Sequence, residues 1–179
     1  MMKKLLNCLV VLFILAGLSE SLSAQPQYYN YNTGGSNNSF PFNVVAGKQV
    51  QLLYLAGDFN QPSPAPSGVI TSVFFRVSPS YPLGPWTYAN FTIKMGQSTI
   101  TTFASGGYYT GPLDTVYYRA SVQLSAAAGT WLEIVLDTPF PYDPLLSLIV
   151  DVGQCGVPGA TGYSAVYTSL TGNRRNWSV

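Results

Sequence analysis

Apolar and polar residues alternate in two neighbouring segments, residues 131–137 and 145–152. Apolar side chains fill the even positions of both segments, whereas the odd positions include Glu133, Asp137, Ser147 and Asp151. Successive side chains of a β-strand point to opposite faces, so each segment is predicted to be a strand with one buried and one solvated face. Three prolines in residues 138–144 interrupt the pattern and predict a sharp turn between the two strands.

The same alternation predicts further strands elsewhere in the chain. Long strands are predicted at residues 49–55, 69–77, 89–95 and 115–124, and short strands at residues 28–31, 98–103 and 163–168. In the segment 69–77, Val69 and Phe75 are predicted to share one face of the strand, and Ile70 and Phe74 the other. Loops rich in glycine and proline separate these segments, and no segment has helical periodicity.

About eight or nine strands, each with one apolar face, predict an all-β fold. Antiparallel strands of this kind pair into two sheets that bury their apolar faces against each other. The expected fold class is therefore an antiparallel two-sheet β-sandwich. A jelly roll is the topology that fits the irregular spacing and the long loops best. The chain of 179 residues has the length of a single domain.

The composition agrees with a folded domain that carries little charge. Charged residues make up 8% of the chain, compared with about 25% in ordinary soluble domains, and aromatic residues make up 14%. Apolar residues amount to 47%, which is enough to build a core. The low charge is therefore not a sign of disorder.

Residues 1–24 have the pattern of a secretory signal peptide. Two lysines precede an apolar run at residues 5–17, and small, polar residues follow up to Ala24, where cleavage is expected. The apolar run is shorter than the roughly 20 residues that span a bilayer, which disfavours a membrane anchor. The pattern predicts a secreted or cell-surface domain of residues 25–179, without a membrane span after cleavage.

Charge and cysteine content narrow the range of partners. Residues 25–179 carry six basic and six acidic side chains, so they offer no positive surface to a nucleic acid or an anionic membrane. Cys8 lies inside the apolar run and not at its cleavage end, which gives no support to a lipoprotein anchor. Cys155 is expected to be a passive, buried side chain, with pairing to another chain as the alternative.

The residue types do not favour an enzyme. The chain has no histidine, which excludes histidine-dependent nucleophilic catalysis and histidine-based zinc sites. A glycosidase needs two carboxyl groups about 5–9.5 Å apart. Glu133 and Asp137 share one strand face, but at about 3.3 Å per residue their Cα atoms lie ~13 Å apart. We therefore expect no catalytic residues.

Two carboxylates near the proline-rich turn are candidate ligands for a calcium ion. Asp137 and Asp143, together with carbonyl groups of residues 139–144, offer the hard oxygen atoms that Ca²⁺ prefers. The alternative is that these aspartates cap turns, as aspartate commonly does. No other cofactor is expected.

Aromatic residues in two loops are the candidate binding residues. Tyr81, Trp86 and Tyr88 flank one proline-rich loop, and Tyr108 and Tyr109 lie in another. Aromatic rings stack on the faces of sugars, and tyrosine adds a hydroxyl group that forms hydrogen bonds. These residues are therefore expected either to bind a glycan or to cover the ends of the core as lids.

Five segments in sequence order resemble a known module. They are Tyr-Leu-Ala-Gly-Asp-Phe-Asn at 54–60, Ile-Thr-Ser-Val-Phe-Phe-Arg at 70–76, Thr-Ile-Lys-Met-Gly at 92–96, Leu-Asp-Thr-Pro-Phe-Pro-Tyr-Asp at 136–143 and Leu-Ser-Leu-Ile-Val-Asp-Val at 146–152. Together they resemble an N-terminal jelly-roll-like module of large secreted and cell-surface proteins of Bacteroidota, which commonly end in a type IX secretion sorting domain. The resemblance spans nearly all of residues 25–179 and implies an extracellular, non-catalytic module without agreed ligand residues.

The chain departs from these proteins because it shows no C-terminal sorting domain. It also stops inside an apolar segment, which favours a fragment of a longer protein over export by another route. The tripeptide Asp114-Thr115-Val116 resembles the acceptor pattern for O-glycosylation in Bacteroidota.

Two functions are expected from these observations. The first is a secreted, non-catalytic module for binding or adhesion within a larger surface protein, with an extracellular glycan as a candidate ligand. The second is a structural subunit or spacer that joins neighbouring domains or chains through an added edge strand, for which residues 28–31 are suited. A glycosidase has the least support.

Overall fold

The computed structural model describes residues 25–30, 36–160, 165–167 and 172–179. The described residues contain nine strands. They are β1 (Ser36–Asn38), β2 (Lys48–Tyr54), β3 (Gly68–Arg76), β4 (Leu83–Ser98), β5 (Asp114–Ala126), β6 (Trp131–Tyr142), β7 (Ser147–Gln154), β8 (Ala165–Tyr167) and β9 (Arg175–Ser178). No helix in these residues is long and apolar enough to cross a membrane. The expected signal peptide lies outside the described residues.

Antiparallel pairing organises the strands into one large sheet and two small ones. The large sheet has the order β5-β4-β7-β2-β9, and β3 pairs with β6. β1 pairs with β8, and one isolated bridge between Val77 and Ala165 connects β8 to the end of β3. The predicted all-β antiparallel class is confirmed as a five-stranded sheet packed on a two-stranded sheet.

The main core lies between these two sheets. Phe91, Ile93 and Met95 of β4 and Val150 and Val152 of β7 are buried on the inner face of the large sheet. The facing side chains of β6 are Leu132, Ile134, Leu136 and Phe140, in the alternation that the sequence predicts. Burial of each large apolar side chain contributes about 1.5–3 kcal/mol, so this layer is the main stabilising contact.

A register shift between β3 and β6 changes which side chains of β3 face the core. The register with β6 shifts between Ile70 and Ser72. Two steps along β3, from Ile70 to Ser72, oppose five along β6, from Phe140 to Val135, and an odd difference reverses the facing of the β3 residues before the shift. Ile70 therefore packs against the core, and Val69 is 62% exposed. The prediction that Val69 and Phe75 share one face is wrong for this reason.

The turn predicted at residues 138–144 is also wrong. β6 continues through Tyr142, and Phe140 and Pro141 pair with Ile70 and Val69. Among the described strands β6 pairs only with β3, so it is an edge strand, and proline is tolerated where no second neighbour needs its missing N–H.

Several short predicted strands differ from those observed. Residues 98–103 are not an independent strand, and Tyr29 forms only an isolated bridge with Gln61. β4 begins at Leu83, inside the predicted proline-rich loop. The last predicted strand, 163–168, is observed as Ala165–Tyr167, and its other residues lie outside the described ones.

A loop covers the outer face of the large sheet. Residues 99–113, here called the outer loop, contribute Phe103 to a second apolar cluster with Leu53 and Ile149. Side chains packed around this cluster are Leu55, Ile100, Tyr109 and Leu113. A Cβ atom at Gly96 would collide with the carbonyl oxygen of Pro112, so the loop passes where only glycine fits.

The outer loop explains why β7 has no solvated face. Ser147 and Asp151 are buried, contrary to the prediction that the odd positions of this strand face water. Asp151 is 4% exposed and accepts hydrogen bonds of 2.8 Å from the side-chain amides of Gln49 and Gln51. Amide donors therefore replace the water that this carboxylate would otherwise need.

Candidate functional site

The five aromatic residues singled out from the sequence occupy different parts of the molecule. Tyr88 is 0% exposed in the main core, and Trp86 is half-buried against that core. Tyr109 belongs to the cluster on the opposite face of the large sheet. The structure therefore does not bring these residues together on one surface.

The remaining two aromatic residues differ in their contacts. Tyr81 is 45% exposed. The Tyr108 hydroxyl lies 2.9 Å from Oγ of Ser178 and 3.2 Å from the carbonyl oxygen of Gln49, so it fastens the outer loop to the sheet. Tyr88 and Tyr109 correspond to the lid-packing alternative, and burial raises the pKa of the Tyr88 hydroxyl.

The two candidate calcium ligands each have protein partners. Asp137 makes a bidentate ion pair with Arg119, with N–O distances of 2.7 and 2.8 Å, and it also accepts a hydrogen bond from the Tyr118 N–H. Asp143 accepts the N–H of Leu145, as a turn-capping aspartate does. The described residues contain no group of three or more His, Cys, Asp or Glu that could hold a metal ion. A calcium site stays a prediction.

Cys155 differs from the expectation that it is buried. It follows the last residue of β7, and its side chain is exposed. Its N–H donates to the carbonyl oxygen of Ala89, so the backbone is fixed while the thiol faces solvent. The prediction of a buried thiol is therefore wrong.

A cleft of about 550 Å³, here called the β3 cleft, opens between the two sheets beside β3. Residues 65–75 form one wall, and residues 25–30 form another. Met95, Leu148 and Val150 of the large sheet line its base. Pockets that hold extended or small ligands have volumes of about 300–1,000 Å³, so the cleft is large enough to bind one.

The cleft exists because the two sheets differ in width. Five strands offer an inner face, but only β3 and β6 pair into the sheet that packs on it among the described strands. Val73 and Phe75 of β3 point toward the core and stay partly accessible. The unequal strand number therefore leaves inner-face side chains accessible beside β3.

Aromatic side chains dominate the lining of the β3 cleft. They are Tyr28, Tyr29, Tyr54, Phe59, Phe74, Phe75, Trp131 and Tyr142. The ring centroids of Tyr29 and Trp131 are 5.9 Å apart, and those of Tyr54 and Phe59 are 5.0 Å apart. Such contacts hold the rings in fixed orientations, which lowers the entropy cost of binding a ligand.

The polar chemistry of the cleft comes from hydroxyl groups and one carboxylate. Burial, and then the charge of Asp58, raise the pKa of Tyr54 to about 12, so its hydroxyl stays protonated at neutral pH. Burial also raises the pKa of Tyr142. Glu133 is the single carboxylate among the described lining residues, and no lysine or arginine is among them. The cleft is therefore apolar and weakly acidic.

The sequence pattern does not predict this site. Trp131 and Phe74 lie on the strand faces that carry mainly polar residues, where the alternation predicts solvent-exposed side chains. Large aromatic residues on the polar face of a strand are a usable signal for a binding surface. The contribution of residues 25–30 has no such signal, because it depends on the Tyr29–Gln61 bridge between distant parts of the chain.

Comparisons with known proteins do not identify the chain. No protein-family model matches it, and no curated protein or solved structure matches it.

Proposed function

We propose that the chain is a secreted, non-catalytic binding module that acts within a larger cell-surface protein. The observation that carries this proposal is the β3 cleft, in which eight aromatic side chains surround a space of about 550 Å³. Large, rigid aromatic rings supply contact area at low entropy cost, and they are the residue types that dominate binding surfaces.

The chemistry of the cleft supports binding rather than hydrolysis. A glycosidase needs a second carboxyl group to act with the first. Glu133 has no carboxylate partner among the described lining residues, and Asp137 is held by Arg119. The cleft therefore offers stacking and hydrogen-bonding groups without an acid–base pair.

The extracellular setting rests on the sequence. The signal-peptide pattern of residues 1–24 supports export. The resemblance of five segments to modules of Bacteroidota surface proteins supports a jelly-roll topology and a place in a longer chain. An extracellular glycan, which the loop aromatics suggested, remains a candidate ligand of the cleft.

A ligand screen with a cleft variant tests this function. The purified protein is exposed to an array of glycans and to a display library of twelve-residue peptides. Trp131→Ala removes a central ring of the cleft and is expected to weaken binding of any selected ligand about tenfold. Tyr118→Ala is the matched control, because Tyr118 is 48% exposed and does not line the cleft.

Two results would overturn the proposal. One is the absence of any binder in both collections. The other is a set of binders whose affinity falls equally with Trp131→Ala and Tyr118→Ala, since this would place binding outside the cleft.

The structural-subunit alternative has one observation in its favour. Tyr29 and Gln61 exchange backbone hydrogen bonds of 2.9 and 3.0 Å, so the N-terminal segment already behaves as a short pairing strand. If this segment joins copies of the chain, the molecular mass in solution rises with concentration, and deleting residues 25–30 abolishes the rise. A concentration-independent monomer contradicts this alternative.

A further inference from the structure

The β3 cleft follows the backbone edge of a strand. Every residue from 65 to 75 lines it, although side chains of a strand point alternately to opposite faces. A cavity on one face of the sheet would be lined by every second residue. The unbroken run, together with lining by Met95 and Val150 on the inner side and by Phe74 and Glu133 on the outer side, indicates that the cleft follows β3 and reaches both faces of its sheet.

That edge has backbone groups available for pairing. Along its other edge β3 pairs with β6 over Gly68–Arg76. Outside this ladder, the backbone hydrogen bonds of the described residues involve no atom of residues 68–75, although β8 runs from the bridge at Val77 beside the last residues of β3. An unpaired strand edge repeats its N–H and C=O groups about every 6.6 Å, which is the repeat of another polypeptide strand.

The two sides of the cleft differ in chemistry. Inside, the base is apolar and consists of Met95, Leu148 and Val150. Outside, Glu133 lies opposite Phe74 in the β3–β6 ladder, with no lysine or arginine among the lining residues. A strand placed beside β3 would bury alternate side chains against the base, and its other side chains would extend over Phe74 toward the carboxylate.

We propose that the edge of β3 binds an extended polypeptide segment as a third strand of the β3–β6 sheet. The segment places apolar side chains in the base of the cleft at alternate positions. It places a lysine or arginine on the outer side, where the cation packs over the Phe74 ring and pairs with Glu133. This inference rests on the proposed function and names the ligand class of the same cleft.

The backbone edge is the reason to prefer a polypeptide to a glycan. Aromatic rings accept either ligand, because both have flat or apolar surfaces. A row of N–H and C=O groups at strand spacing is complementary to another peptide backbone along its whole length. A sugar chain has no matching repeat of donors and acceptors, so it would leave these groups unpaired.

Peptides selected from the twelve-residue display library test the inference directly. Selected sequences are expected to alternate apolar residues with polar ones and to carry a lysine or arginine in the polar phase. N-methylation of the peptide backbone at every second position should abolish binding, while N-methylation at the intervening positions should change it little. Backbone amides of residues 68–75 should exchange with deuterium about tenfold more slowly in the complex.

A charge variant tests the outer contact. Glu133→Gln is expected to weaken the lysine- or arginine-bearing peptides about threefold, the size of an exposed ion pair. Asp114→Asn is the matched control, because Asp114 is also an exposed strand carboxylate and lies outside the cleft. Equal affinities of the wild type and Glu133→Gln for these peptides would overturn the assigned cation.

The outcomes separate this inference from the proposed function. If glycans bind, are sensitive to Trp131→Ala and leave the exchange of residues 68–75 unchanged, the polypeptide ligand is overturned and the binding module stands. Peptides that bind without the alternating N-methylation effect also overturn strand addition. If neither glycans nor peptides bind, both proposals fail.

Discussion

At the scale of single residues, Lys48 has the least ordinary environment. It begins β2, it is 3% exposed, and its Nζ has no hydrogen-bond partner among the described residues. The ammonium group lies 3.7 Å from the ring centroid of Phe40 and 3.6 Å from that of Trp177. Two aromatic faces thus replace water around a buried cation and connect β9 to the start of β2.

Stability near Lys48 is expected to depend on pH. Burial, and then the charge of Arg175, lower the pKa of Lys48 below its ordinary value of 10.5. Between the two pKa values the unfolded chain binds more protons than the folded chain, so the free energy of unfolding rises with pH across this interval. Lys48→Met keeps the apolar stem without the charge and should remove the rise in urea denaturation from neutral pH to about 10.5.

The control for this prediction is Lys94→Met. Lys94 lies on β4 and is half-buried, and among the described contacts its ammonium group does not lie over an aromatic ring. Its removal should leave the pH-dependent rise in place. Parallel curves for the wild type and Lys48→Met would show that burial and the charge of Arg175 do not disfavour the charged lysine.

At the scale of elements, the outer loop covers the outer face of the large sheet. Its position is fixed by Gln51, which is buried, donates to Asp151 and accepts the N–H of Tyr109 at 2.6 Å. Gln49 donates to the same Asp151 oxygen, but it is exposed, and among the described hydrogen bonds its side chain makes none to the loop backbone. The two glutamines therefore form a natural pair for comparison.

Gln51→Ala is expected to destabilise the loop more than Gln49→Ala does. The Gln51 variant leaves the Tyr109 N–H and one lone pair of Asp151 unsatisfied in a buried position, which costs about 1–3 kcal/mol. The Gln49 variant removes a partly exposed bond, for which water can substitute. Urea denaturation measures the difference, and hydrogen exchange of residues 104–111 should accelerate in Gln51→Ala alone. Equal losses in both variants would contradict the assigned role of Gln51.

At the scale of the whole molecule, a surface ion pair joins the edges of the two sheets. Arg119 of β5 and Asp137 of β6 interact at 2.7 Å, and both side chains are exposed. The Arg119 hydrogen bonds, and then the Tyr118 N–H, lower the pKa of Asp137 below its ordinary value of 3.8. Exposed ion pairs contribute little, so the apolar layer between the sheets holds them together.

Asp137→Asn is accordingly expected to change stability only slightly. A depressed pKa contributes stability above the ordinary value of 3.8, and this contribution is lost as the pH falls through the folded-state pKa. The small difference between wild type and variant in urea denaturation should therefore be present at neutral pH and absent in strong acid. A loss as large as that of Gln51→Ala would show that the ion pair, and not the apolar layer, holds the sheets together.

The sequence by itself determined the strand class and much of the core. Alternation places Leu132, Ile134 and Leu136 on one face of β6, and the structure buries all three. This works because the side-chain period of a strand is a local property of the backbone. The long strands at 49–55, 69–77 and 115–124 correspond to β2, β3 and β5 for the same reason.

Only the tertiary structure decided the facing of Val69, the burial of Asp151 and the position of the β3 cleft. The register shift between β3 and β6 reverses the facing of the β3 residues before it, and a loop about 40 residues away in sequence covers a strand face that the alternation marks as polar. The cleft depends on how many strands enter each sheet and on where residues 25–30 pack. Strand number and long-range packing are set by contacts between distant segments, which no local pattern of residues encodes.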